Sequence, residues 1–291
     1  MKVLVTGAGG QLAWELERSQ PLQHQVKCLS RSQLDICDDK QLESFFSEFK
    51  PDAVINAAAY TAVDRAEQEQ EKAHSVNAAA VGRLAELCSK HGAYLLHIST
   101  DFVFDGSGSR PYTADEDLAP LGVYGQTKAD GEKAIAEVMN ADWAIVRTAW
   151  VYSSHGANFV KTMLRLMAEK PALSVVGDQV GTPTWARGLA QTCWSMLETR
   201  PQGFFHWTDA GVASWYDFAV AIQSLALQKG LLKHVIPIKP IASEDYPTPA
   251  KRPAYSVLDK AKILNELPNL SSHHWQFQLG LMMDELVAAS A

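Results

Sequence analysis

Cysteine is scarce. The 291 residues contain four, Cys28, Cys37, Cys88 and Cys193, and no two stand in C-x-x-C spacing. That excludes a zinc ribbon or a disulfide-stapled scaffold and predicts reduced thiols, mostly filling the core. Positive charge is also in deficit: 26 Lys and Arg face 33 Asp and Glu, a formal net charge of −7. A general nucleic-acid or membrane-surface binder carries a basic excess, so an anionic ligand must be met here by backbone amides and single arginines. No apolar run approaches the roughly 20 residues of a membrane span. Met1–Val5 is too short for the apolar core of a secretory signal and runs straight into glycines. These absences predict a cytoplasmic protein with neither nucleic-acid nor membrane partners. Internal repeats and low-complexity tracts are missing too.

What remains is ordinary globular composition, 47% hydrophobic and 20% charged, at a length that fits one large domain or two modest ones. Lys2–Val5 reads as a buried strand, followed by Gly7-x-x-Gly10-x-x-Ala13 and a helix over 14–19. Strand, glycine turn and helix together offer free backbone N–H groups and a positive dipole end to a phosphate. Gly7 permits the turn, Gly10 lets a pyrophosphate approach, and Ala13 allows close packing of helix on strand. Gln11 and Leu12, within this loop, are candidate cofactor contacts. A second strand, Gln25–Leu29, ends at Ser30-Arg31-Ser32, where an NAD enzyme would place a carboxylate on the ribose. Arg31 suits a 2′-phosphate instead and points to NADPH, with NADH possible. Asp35 and Ile36 follow, able to flank an adenine. A third strand over 53–59 ends in small residues, which makes Ala58, Ala59, Tyr60 and Thr61 candidate cofactor contacts at a strand carboxyl end. The plainer alternatives are a tight turn at the glycines, a solvated Arg31 and helix–sheet packing at the alanines.

Strand four, Tyr94–Ser99, carries Ser99-Thr100-Asp101 at its tip. Tyr124 and Lys128 open a helix running to about Val138, and their spacing puts both side chains on one face, roughly 6 Å apart along the axis. Strand five, Trp143–Arg147, ends near Trp150. Five β-α repeats imply an α/β fold with a doubly wound parallel sheet, a Rossmann fold. The expected division is a cofactor domain over 1–150, with additions from about 185–230. A smaller C-terminal substrate-binding lobe would comprise 151–184 and 231–291.

The glycine loop, Asn56-Ala-Ala-Ala-Tyr-Thr61, Ser99-Thr-Asp-Phe-Val-Phe-Asp105 and Tyr124-x-x-x-Lys128 together resemble the extended short-chain dehydrogenase/reductases that act on nucleotide sugars. Arg147–Tyr152, Asn158–Met163, Asp178–Thr184 and Arg252–Asp259 extend the resemblance over nearly the whole chain, toward the dTDP-4-dehydrorhamnose reductase family. The resemblance implies reduction of dTDP-4-dehydro-L-rhamnose to dTDP-L-rhamnose with NAD(P)H, for lipopolysaccharide and O-antigen precursors. Tyr124 would protonate the ketone oxygen, Lys128 would favour its phenolate and hold the cofactor ribose, and Thr100 would stabilise the oxyanion. Related dehydratases carry Thr-Asp-Glu where this chain has Thr100-Asp101-Phe102, so net reduction fits better than elimination. Thr100, Asp101 and Trp150 would contact the sugar nucleotide; Asn158 and Arg252 are weaker candidates for its diphosphate. Some members dimerise around Mg²⁺ held by three glutamates. Glu15 and Glu285 match two positions, but the third falls at Arg187, which opposes a dication. A monomer or a metal-independent dimer is therefore expected. Two alternatives of the same fold stay open: an epimerase or dehydratase, and a non-catalytic regulatory subunit resembling the β subunit of methionine adenosyltransferase.

Overall fold

Along the first strand, β1 (Lys2–Thr6), Val3 and Val5 face one apolar core while Leu4 faces another. The same alternation repeats in β3 (Ala53–Asn56), β4 (Tyr94–Thr100) and β5 (Trp143–Thr148). Strands buried on both faces require helices on both sides. With β2 (Gln25–Leu29) and β6 (Gly203–His206) they form a six-stranded sheet in the order β6-β5-β4-β3-β1-β2. Every pairing is parallel. The chain leaves β1 for β2 and returns to β3 on the far side, so the order reverses between β1 and β3. Ligands of open α/β sheets collect at such a point. The computed structural model describes residues 1–290.

Helices α1 (Gln11–Arg18) and α6 (Ala186–Thr199) cover one face, through Leu16, Leu189, Cys193 and Leu197. Helices α2 (Asp39–Phe49), α3 (Ala80–His91) and α4 (Val123–Val138) cover the other, through Phe46, Leu84 and Ile135. The Asp38 side chain caps α2 by accepting from the Lys40 and Gln41 amides. A second core joins α5 (Phe159–Glu169), α7 (Trp215–Gln228) and α8 (Trp275–Ser290) around Met163, Phe218 and Met282. Ser214 and Asp217 close a reciprocal capping box on α7. Within 185–230, α6 and β6 thus join the sheet layers while α7 packs in the second core.

Three local details differ from the sequence expectation, each for a physical reason. α1 begins at Gln11 rather than Trp14, so its first amides open directly onto the glycine turn. β3 ends at Asn56, and Ala57–Ala59 leave the ladder to line the crevice. The stretch 62–88 contains a π-helical turn, Ser75–Ala79, ahead of α3. That turn directs Asn77 inward, where it accepts from the Tyr60 amide at 2.9 Å and donates to the Tyr60 carbonyl at 3.1 Å and Thr127 Oγ1 at 3.2 Å. Among the described residues, no helix is long and apolar enough to cross a membrane.

Candidate active site

A cavity of about 570 Å³ opens at the β1/β3 reversal. Gly7, Gly10, Gln11, Leu12, Arg31, Asp35, Ile36, Ala58, Ala59, Tyr60 and Thr61 all line it. Gly7 has φ +82°, and a Cβ there would stand 2.8 Å from the Ala57 carbonyl oxygen. No other residue fits. Arg31 pairs with Asp35 at 3.0 Å on the cavity wall. Sequence reasoning missed Lys72, which lines the same cavity and sits over the Tyr60 ring at 5.6 Å. It belongs to no motif; only the chain's turn after Thr61 brings it in. Gly156 and Ala157 also line the cavity. Their loop is tied to α1: Asn158 donates to Gln11 Oε1 at 2.9 Å, and His155 stacks on Trp14.

Thr100, Asp101, Tyr124 and Lys128 lie at the β4 tip and in the first turns of α4, and Asn77 links α4 to the cavity by bonding both Thr127 and the lining residue Tyr60. Gly125 makes the approach possible, since a Cβ there would lie 2.2 Å from the Phe102 carbonyl oxygen. The Phe102 ring meets the Tyr124 ring edge-on, with centroids 5.5 Å apart. Thr100 Oγ1 donates to Asp101 Oδ1 at 3.1 Å and accepts from the Phe102 amide. Asp101 is buried, with one carboxylate oxygen unpartnered. Burial pushes its carboxyl up to about 6, against the lowering effect of the Ser256 and Thr100 hydroxyls.

The expectation that Lys128 draws the Tyr124 phenol toward phenolate is corrected here. The phenol is pushed up to about 12, first by burial and then by the Asp101 carboxylate, while the Thr100 hydroxyl works the other way. Lys128 is directed elsewhere: its ammonium meets His97 Nε2 at 3.1 Å and donates to the Ile98 carbonyl at 2.6 Å. Burial lowers it to about 8, offset in part by Glu132. At neutral pH the phenol carries its proton, as an unperturbed tyrosine would.

Trp150, at φ +49°, stacks on Trp215 with ring centroids 3.6 Å apart. Trp215 lines a second cavity of about 430 Å³ with Phe159, Tyr246, Gln179 and Arg252. Of the two weaker diphosphate candidates, Asn158 caps α5, accepting from the Lys161 amide. Arg252 is held by Asp64 at 2.8 Å. Sequence reading had not flagged Phe159, Trp215 or Tyr246, whose spacing looks like ordinary core.

The profile of the RmlD substrate binding domain matches residues 1–288. The chain is 41% identical to a dTDP-4-dehydrorhamnose reductase of Burkholderia thailandensis, over 99% of this chain and all of that protein. It belongs to the dTDP-4-dehydrorhamnose reductase family. A dTDP-4-dehydrorhamnose reductase from Clostridium acetobutylicum superposes with a TM-score of 0.92 at 39% identity, covering 98% of this chain and 99% of that one. One from Bacillus anthracis, solved in complex with NADP, superposes with 0.91 at 34%, covering 98% and 99%.

The two glutamates weighed as metal ligands are both engaged within the chain. Arg187 Nη1 donates to Glu285 Oε1 at 3.0 Å, and Arg18 grips the same carboxylate. Glu15 is buried, accepts from Ser153 at 2.9 Å and lies 3.4 Å from Arg18. Two guanidinium groups already neutralise Glu285, so this donor set does not suit a dication. Among the described residues, no group of three or more His, Cys, Asp or Glu is placed to hold a metal.

Proposed function

We infer that this chain is an NADPH-dependent oxidoreductase that reduces the C4 ketone of dTDP-4-dehydro-L-rhamnose to dTDP-L-rhamnose, a precursor of cell-surface polysaccharide. The observation that carries this reading is the placing of the Tyr124 phenol by the Thr100 hydroxyl, with Phe102 where elimination would need a carboxylate. Family membership supplies the sugar nucleotide, and the NADP bound by the Bacillus anthracis relative supports the cofactor.

The residues divide the work as follows. Gly7, Gly10, Gln11 and Leu12 present amides and a helix N-terminus to the cofactor pyrophosphate. Arg31 suits the 2′-phosphate, Asp35 and Ile36 flank the adenine, and Ala58, Ala59, Tyr60 and Thr61 border the remainder. When bound, NADPH supplies the hydride. As charge builds on the ketone oxygen, the Thr100 hydroxyl turns from Asp101 to donate its one hydrogen bond to it and Tyr124 delivers the proton, leaving a phenolate that is reprotonated from solvent. Lys128, anchored on β4, keeps one N–H for the cofactor ribose. Asp101 and Trp150 hold the sugar. The aromatic wall of Phe159, Trp215 and Tyr246 suits a planar base, with Gln179 and Arg252 at its edge. The Arg187–Glu285 pair supports a monomer or a dimer built without metal, and such an activity belongs in the cytoplasm.

The test is to generate the keto-sugar nucleotide in situ and follow loss of NADPH or NADH absorbance. Wild-type protein should consume NADPH in proportion to substrate, whereas an epimerase, a dehydratase or a regulatory subunit would not. Tyr124→Phe should lose about 10²–10⁴-fold in turnover while still binding NADPH. Full activity in that variant would remove Tyr124 as the acid.

A further inference from the structure

A polar line runs up to Lys128 through three residues that the proposed mechanism does not use. Thr6 Oγ1 bonds Asn56 Oδ1 at 2.6 Å, Asn56 Nδ2 lies 3.0 Å from His97 Nδ1, and His97 Nε2 lies 3.1 Å from Lys128 Nζ. The line crosses β1, β3 and β4 and ends on α4. Thr6, Asn56, His97 and Lys128 are all at most 1% exposed. A histidine inside a sheet of Val, Leu and Ile costs stability unless both nitrogens find partners. Here both do, and one partner is the lysine of the site.

We propose that His97 is the positioning residue for Lys128: its neutral imidazole takes one ammonium proton, the Ile98 carbonyl takes a second, and the third N–H is left for the crevice. The geometry does this in a definite order. An ammonium has three donors and no acceptor. Two are fixed to β4, at 3.1 and 2.6 Å, so the remaining one is aimed rather than free to rotate. With Lys128 charged, Nε2 must accept, so the ring proton sits on Nδ1 and the Asn56 amide turns its carbonyl to it. With Lys128 uncharged, Nε2–H donates to the amine and Asn56 Nδ2 donates to Nδ1. Burial and the Lys128 charge both keep His97 neutral, so the ring does not become a competing cation. The charged neighbours are accounted for. Glu132, one turn along α4, favours the ammonium and is itself paired bidentately with Arg147 of β5. Asp101 of β4 acts on Tyr124.

The inference rests on the reductase reading, and its test separates the two. Turnover of wild type, His97→Leu and His97→Gln is followed from pH 6 to 10, with NADPH affinity and melting temperature measured alongside. No NADPH consumption by wild type sinks the reductase reading itself. With wild type active, its alkaline limb is expected near the Lys128 value of about 8. His97→Leu should move that limb down by about one pH unit and lower kcat at pH 7 roughly 10- to 100-fold. His97→Gln, whose carbonyl can accept from the ammonium, should restore the limb. A Leu variant with the wild-type limb, or a Gln variant no better than Leu, overturns the proposal. If Leu does not fold, ¹⁵N-histidine NMR on wild type decides. The His97 ring should switch from the Nδ1–H to the Nε2–H tautomer as Lys128 titrates, and an unchanged ring over this range refutes it.

Discussion

Replacing Asp101 by Asn should make the protein more stable and less active at once. The carboxyl is 2% exposed, and burial raises it from 3.8 to about 6. In a tightly buried group that difference corresponds to about 3 kcal/mol of folding free energy, at 1.36 kcal/mol per pKa unit. Between pH 3.8 and 6 the native state holds the proton that the unfolded chain has released, so this group makes stability fall as pH rises through that window. Above about 6 the whole cost is present. Asn removes the charge and keeps a carbonyl for the Thr100 hydroxyl, so the variant should gain about 1–3 kcal/mol at pH 7.5, a few degrees in melting temperature for a chain of this size. The gain should shrink toward zero near pH 4. Calorimetric melts of both proteins at several pH values from 4 to 8 measure it directly. With Asp101 holding the sugar as proposed, the same substitution should lower kcat/KM about 10- to 100-fold. A variant that melts lower than wild type at pH 7.5, or whose advantage is the same at pH 4 and pH 7.5, would refute the claim that Asp101 is held in place at a cost.

Two further substitutions probe the cofactor side. Gly7→Ala sets a methyl against the Ala57 carbonyl at 2.8 Å and forces an L-residue to φ +82°; it should lower stability by about 1–3 kcal/mol and weaken NADPH binding in fluorescence titration. Normal affinity would mean that the glycine turn does not hold the pyrophosphate. Arg31→Ala should raise KM for NADPH by about tenfold or more and leave KM for NADH nearly unchanged, and equal effects on both cofactors would detach Arg31 from the 2′-phosphate.

The parts that were legible in the sequence are those written in local geometry. Gly7, Gly10 and Ala13 fall at spacings that only a strand–turn–helix satisfies, and Tyr124 and Lys128 fall on one helical face. Phe102 could be weighed because its place in the chain is fixed by the strand before it. What escaped is settled by contacts between distant segments. His97 reads as one more inward residue of a strand, and nothing in its spacing links it to Lys128, 31 residues on. Lys72 is an unremarkable helical lysine until the chain's turn after Thr61 brings it over Tyr60. The sign of the Tyr124 shift was misjudged because the sequence shows a lysine nearby but not how dry the site is. In a dry site burial outweighs the attraction of a charge directed at another partner.

The sheet order has a consequence for how the protein is made. β6 is the sixth strand of the cofactor sheet, yet it begins at Gly203, after the chain has gone out through α5 and returned along α6. The start of β6 at Gly203 comes 55 residues after the end of β5 at Thr148. At 5–20 residues per second, the ribosome takes roughly 3–11 s to cross them. Through that interval β5 is an open edge of buried-type sequence, and the face destined for α6 stays uncovered; both conditions favour pairing with another chain. The nascent protein thus has a defined window of vulnerability, which closes when residues 186–206 dock.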